Sequence, residues 1–288
     1  MNDLNKAAAP LSSPPPRQIT SLDEAISTLL LFSPDNGWVF RGQSQAEWPL
    51  LPAVGRAPYS YILANDIAWF EEWRRSSAPF CDLPSDDYEA LAYAQHYGLP
   101  TRLLDWTRSA LVALFFACEK DYETEGAVFA YVPLSFRPSS ETRIKGTDKK
   151  IYRVDVRPFD TRISAQQATF VFFPQPLQPL EAEPLPSVLR RGDLIGDLNL
   201  VKFLISPKDK LLIANSLRLL GFTRSFLFPD VEGLSASFRH EIEILRAADD
   251  HGFPRAIYPL RSSLERNWQE RRKIIAERQQ RNEPDLEV

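Results

Sequence analysis

Trp38-Val39-Phe40-Arg41-Gly42-Gln43 decides how this chain is read, together with Leu99-Pro100-Thr101-Arg102-Leu103-Leu104-Asp105-Trp106-Thr107 downstream. In the first stretch three large apolar residues predict a strand that hands over directly to an arginine and a glycine. A strand end is a rigid mount. Glycine admits the close approach of a ligand or of another backbone, and a guanidinium can fork onto phosphate or carboxylate oxygens. In the second stretch a polar cluster sits where a new helix is expected to begin, at Thr107. The first N–H groups of a helix lack partners and favour an anion, so the two places together point to a nucleotide-like anion site.

Working outward, Ser21 and Glu24 form a capping box ahead of Ile26, Leu29, Leu30 and Leu31. That helix should stop before Pro34, and Asn36-Gly37 turns the chain into the strand at 38–40. Ile62, Ile67, Phe70 and Trp73 repeat at helical spacing and predict a helix over 60–75. Another is expected over 86–97, capped by Asp86 and stopped by Gly98. Residues 111–118 are apolar on most sides and predict a central helix. Strands are expected at 127–132, 151–156, 169–173 and 201–205. Ser206-Pro207 opens a helix that closes at Gly221, and 230–249 and 262–281 are helical by periodicity. The sum is an α+β protein: a mixed sheet core packed by helices, followed by a charged C-terminal helix.

The composition is that of an ordinary globular chain. Of 288 residues 44% are apolar and 25% charged, and the net charge is −4. With a pI near 5.6, nothing pulls it globally towards nucleic acid or anionic membranes. Nucleic acid is therefore not expected as a high-affinity ligand, though it could serve as an acceptor. No window is apolar enough for a membrane span and Met1-Asn2-Asp3-Leu4 opens no signal-peptide core, so a cytoplasmic location is expected. Cys81 and Cys118 with His96, His240 and His251 show no ligand spacing, and no metal is expected. Residues 1–18, rich in Pro, Ala and Ser, read as a disordered arm.

Each site residue has a plainer reading beside the functional one. Arg41 could close a salt bridge with Gly42 as a turn, but Gln43, Ser44 and Gln45 follow it in a loop, where ligand groups tend to sit. Thr107 either caps its helix or binds an anion with it. Asp105 either orients Arg102 or meets a ligand hydroxyl, and Trp106 either stacks on a ring or packs into the core. Gln166-Gln167 enter the apolar strand at 169–173; alternation turns one of them inward, where a buried amide needs partners. Tyr97 either lines the pocket or packs, and His96 suits a helix C-terminus. Arg239, His240, Glu241 and Glu243 read as a solvated helix face.

Phe40-Arg41-Gly42-Gln43-Ser44 resembles the signature of the FRG domain. The run from Ala94-Gln95-His96-Tyr97-Gly98 through Thr107, followed by Ala110-Leu111-Val112-Ala113-Leu114-Phe115-Phe116-Ala117, resembles that domain's most specific block. Arg162 with Gln166-Gln167-Ala168-Thr169-Phe170, and Leu220-Gly221-Phe222 with Phe228-Pro229-Asp230-Val231-Glu232-Gly233-Leu234, resemble its later blocks. On this resemblance 19–260 is the FRG domain and 261–288 a charged C-terminal helix and tail, open to a protein partner.

The strand ending in aromatic-Arg-Gly is also similar to the first motif of arginine-type ADP-ribosyltransferases. That resemblance implies NAD as substrate, with Arg41 on its phosphate or ribose. Thr101 or Thr107 stands for the hydroxyl motif, and Gln166-Gln167 for the last motif. The third block holds no glutamate, so Asp105 or Gln167 is the expected catalytic group, with Arg41, Gly42, Gln43, Tyr97, Thr101, Arg102, Trp106, Thr107 and Gln166 around the cofactor. The implied activity is ADP-ribosyl transfer or NAD hydrolysis in a bacterial or phage-related toxin or anti-phage protein. The alternative is a non-catalytic module that binds a phosphorylated or acidic ligand or a protein partner.

Overall fold

The structure, a computed structural model, describes residues 17–133, 135, 137, 142–144, 150–182 and 199–250. The expected helix at 262–281 and most of the arm lie outside the described residues. Arg17-Gln18, read as the end of the arm, form the short strand β1 against the far edge of the sheet.

The chain then runs α1 (Leu22–Leu29), β2 (Val39–Gln43), α2 (Asp66–Ser77), α3 (Asp87–His96), β3 (Leu103–Thr107), α4 (Ala110–Cys118) and β4 (Gly126–Tyr131). It continues with β5 (Tyr152–Val154), α5 (Thr161–Ala165), β6 (Ala168–Phe172), β7 (Leu200–Ile205), α6 (Pro207–Leu219), α7 (Arg224–Leu227) and α8 (Val231–Asp250). The fold is α+β, as expected, with eight α-helices among the described residues. Several boundaries follow from capping chemistry. Ser21, Asp86 and Ser206 each accept a backbone N–H of the first helical turn, which satisfies donors a helix leaves open. The segment expected as one helix over 60–75 is a 3-10 turn (Tyr59–Asn65) that passes into α2.

Seven strands form one mixed sheet in the order β1-β7-β4-β2-β3-β6-β5. One face carries the helices. Phe70, Tyr88, Leu91, Leu103 and Phe172 pack there beneath α2 and α3, and α4 lies along β2. A Cβ on Gly42 would stand 1.8 Å from the Ala113 carbonyl oxygen, so the glycine serves the close approach of α4. The other face buries Val39, Leu104, Trp106, Phe129 and Tyr131 beneath irregular segments carrying Leu50 and Phe173, and Leu50 bridges Leu180 there.

The seams on the two sides of β2 differ. With β4 the strand pairs at five successive positions, Val39 to Gln43. With β3 it pairs at one, Phe40 opposite Thr107, while β3 stays paired with β6 along its whole length. Beyond Phe40 the sheet therefore parts between β2 and β3. The chain divides into two units, Met1–His240 and Glu241–Val288; of the second unit, residues 241–250 continue the helical conformation of α8.

Candidate functional site

A cavity of about 340 Å³ occupies the parted seam. Side chains alternate across a strand, so Phe40 and Thr107 face the helices while Arg41, Gln43 and Trp106 face the opposite layer. All five line the cavity, which therefore runs through the sheet rather than over it. Val112 and Phe116 of α4 close its helix side with the buried Glu119, and the exposed Trp48 and Lys120 stand at its rim.

Arg41 spans the gap. One guanidinium nitrogen, Nη1, donates to the Asp105 carbonyl oxygen at 2.6 Å, taking the place of a missing ladder bond. Its Nε is enclosed and has no partner. Burial holds the guanidinium below its ordinary value; Asp105 opposes this and the exposed Arg56 adds to it. Arginine keeps its charge under such conditions, so the gap contains a half-buried cation whose enclosed Nε has unused donor capacity.

Two further polar atoms in the cavity wall are in the same state. Gln43 is 4% exposed and its Oε1 has no partner; Trp106 is 3% exposed and its Nε1 has none. Among the described residues these three are the buried side-chain N and O atoms without a hydrogen bond, and all three line this one cavity. Each unmet group costs about 1–3 kcal/mol. A polar group that enters the cavity therefore meets three points of attachment.

Charge continues to the rim. Lys120 Nζ lies 5.9 Å from the centre of the Trp48 ring, and Trp48 is 41% exposed. Glu119 is buried and paired with Arg224. Burial nevertheless raises its carboxyl above the usual range, with Arg224 opposing. Beside it, Tyr122 Oη lies 3.2 Å from His240 Nε2. Burial pushes the imidazole down to about 4, with Arg224 adding to the shift, so His240 is a neutral buried group and not part of a solvated face.

The other expected site residues separate into two sets. Asp105, Gln166, Gly42 and Thr107 line the cavity with Arg41, Gln43 and Trp106. Asp105 is exposed, and its Oδ1 accepts from Gln95 Nε2 at 2.8 Å. Gln166 caps α5, donating from Nε2 to Leu227.

Thr107 does not begin α4. It ends β3, donates from Oγ1 to the Gln166 carbonyl and accepts the Ser109 N–H, and Ser109 caps the helix. The cavity meets the flank of α4, not its N-terminus.

The remaining residues lie elsewhere. Arg102 is held bidentately by Asp66 at 2.6 and 2.8 Å and donates to the Pro174 carbonyl, leaving no fork for a phosphate. Thr101 is buried, donating to Gln95 Oε1 and accepting the Leu103 N–H. Tyr97 is 65% exposed and stands by Tyr93 in a separate aromatic groove. Gln167 is exposed at φ 46° and contributes its carbonyl to the Arg108 N–H.

Glu119, Lys120, Phe116 and Trp48 escaped the sequence reading. The only sequence signal for the first two was the abrupt charge after the apolar run 111–118.

An α+β protein whose ligand-sized cavity is cut through a sheet seam around a half-buried arginine is the class that fold and site define. The chain contains an FRG domain: the model of that family matches residues 36–126, which run from the turn before β2 to the start of β4. The matched span holds Arg41, Gln43, Asp105, Trp106 and Thr107, while the blocks around 162–170 and 220–234 lie beyond it. Comparison with curated proteins and with solved structures returns no match.

Proposed function

We propose that the seam cavity binds a nucleotide, with NAD as the ligand class. The observation that carries this reading is the convergence of three unsatisfied buried polar atoms, Arg41 Nε, Gln43 Oε1 and Trp106 Nε1, on one cavity. Arg41 answers an anionic group, Lys120 adds a second cation at the rim, and Trp48 and Phe116 offer planes for a ring. At about 340 Å³ the cavity is at the small end for ligand sites. It suits one half of a dinucleotide, with the other half extending past Trp48 and Lys120.

Catalysis rests on a carboxylate meeting the reacting ribose. Asp105 is the group for that role: it lines the cavity, is exposed, and is oriented by Gln95. ADP-ribosyl transfer, or NAD hydrolysis with water as acceptor, would follow; a toxin or anti-phage role would place a protein or nucleic acid in the acceptor's position. The pairing of Glu119 with Arg224 favours a second reading, since it leaves no uncommitted buried carboxylate among the described residues of the cavity wall: a module that binds the same ligand without turning it over.

One assay separates the two. Purified protein is incubated with NAD while nicotinamide release and thermal shift are followed in wild type, Arg41→Ala and Asp105→Ala. Release lost in both variants supports the enzyme. A thermal shift lost in Arg41→Ala, without release in any form, supports the binding module. Neither shift nor release would remove the nucleotide reading.

A further inference from the structure

The three unsatisfied atoms differ in kind. Arg41 Nε–H and Trp106 Nε1–H are donors, and Gln43 Oε1 is an acceptor. Arg41 is charged and has Arg56 close enough to depress it further, so its complement is an anion. Trp106 and Gln43 are neutral and almost wholly buried, so their complement is selected by hydrogen bonding. Both project from the same face of the sheet, on the two strands that part. Trp106 is held by packing, its ring centre 5.3 Å from that of Tyr131.

A buried donor and a buried acceptor in the wall of one cavity are complementary to a planar group carrying C=O next to N–H. We infer that the neutral wall of the cavity binds an amide edge: the ligand carbonyl accepts from Trp106 Nε1, and the ligand N–H donates to Gln43 Oε1. This rests on the nucleotide reading and names the part of the ligand that enters the sheet. Such an edge occurs in a primary carboxamide, as at the nicotinamide end of NAD, and in the lactam edge of a nucleobase. A carboxylate in the same place offers two acceptors and no N–H, which leaves Gln43 Oε1 facing another acceptor. Sites built to hydrogen-bond one group reject the analogue that lacks it more strongly than apolar pockets reject a change of size.

The test titrates the full chain by saturation-transfer NMR with nicotinamide, nicotinic acid and uracil, each alone, and separately with NAD. One amide-bearing probe should bind about ten- to a hundredfold more tightly than nicotinic acid. Preference for nicotinamide identifies a carboxamide, and preference for uracil a base edge. Gln43→Leu should reduce the discrimination to about threefold or less, with its melting temperature held or raised because an unmet acceptor is gone. Trp106→Phe should weaken the amide probe by a similar factor.

Nicotinic acid binding as tightly as both amides overturns the inference, as does NAD binding when neither amide binds. Both results leave the nucleotide reading standing, provided that NAD binding depends on Arg41. Failure of all four ligands overturns both.

Discussion

Arg41 and Arg102 each belong to a motif that the sequence offers as part of the site, and the fold uses them in opposite ways. Arg102 meets a buried carboxylate through two parallel hydrogen bonds and adds a carbonyl, so its fork is filled. Arg41 reaches a single backbone carbonyl across a parted seam and keeps an enclosed Nε without a partner. An arginine in a polar motif therefore says little by itself about ligand binding. What distinguishes a site is polar capacity that the chain itself leaves unused.

The largest effect should come from breaking the closed pair. Arg102→Ala leaves Asp66, 5% exposed, as an uncompensated buried charge, and a loss of about 3–5 kcal/mol in urea unfolding is expected. Gly42→Ala tests the helix that roofs the open seam. Its Cβ would collide with the Ala113 carbonyl, so α4 must shift, at about 1–3 kcal/mol by the same measurement.

Arg41→Met sharpens the contrast from the other side. It removes a half-buried cation whose hydrogen bonding is incomplete, so stability should change by less than about 1 kcal/mol, while NAD affinity falls more than about tenfold. If Arg41→Met were as destabilising as Arg102→Ala, the two arginines would be equivalent after all.

A separate effect concerns pH. Burial holds the His240 imidazole at about 4 against an ordinary 6.5. Between those values the unfolded chain takes up a proton that the folded protein refuses. Stability from this residue is thus complete above pH 6.5 and is lost as the pH falls towards 4. Thermal unfolding of His240→Gln should be less steep over that window than that of wild type.

The sequence made much of this architecture readable, because local chemistry dictates it. The capping residues Ser21, Asp86 and Ser206 lie where expected, and the apolar run at 111–118 is the buried helix roofing β2. The strand expected at 38–40 is β2, but it runs on through Arg41, Gly42 and Gln43, so Arg41 and Gln43 stand within the sheet and not in a loop beyond it.

Residues 103–107 did not. Leu103, Leu104, Trp106 and Thr107 are all buried, on both faces of the sheet, so the alternation that marks a half-exposed strand is absent, and Thr107 stands two residues before the true cap. Partners distant in sequence were also hidden. Asp66 commits Arg102 from across 36 residues, and Tyr122 meets His240 from across 118. The site was half legible for the same reason: Arg41 and Gln43 are adjacent in one motif, whereas Glu119 and Lys120 reach the cavity only because α4 lies against Gly42.

Titration calorimetry of the full chain with NAD, wild type against Arg41→Met, bears most directly on whether the parted seam is a binding site. Saturable binding by the wild type is expected, weakened at least about tenfold in a variant of unchanged melting temperature. A wild type that takes up no NAD, or a variant that binds it equally well, would contradict that assignment.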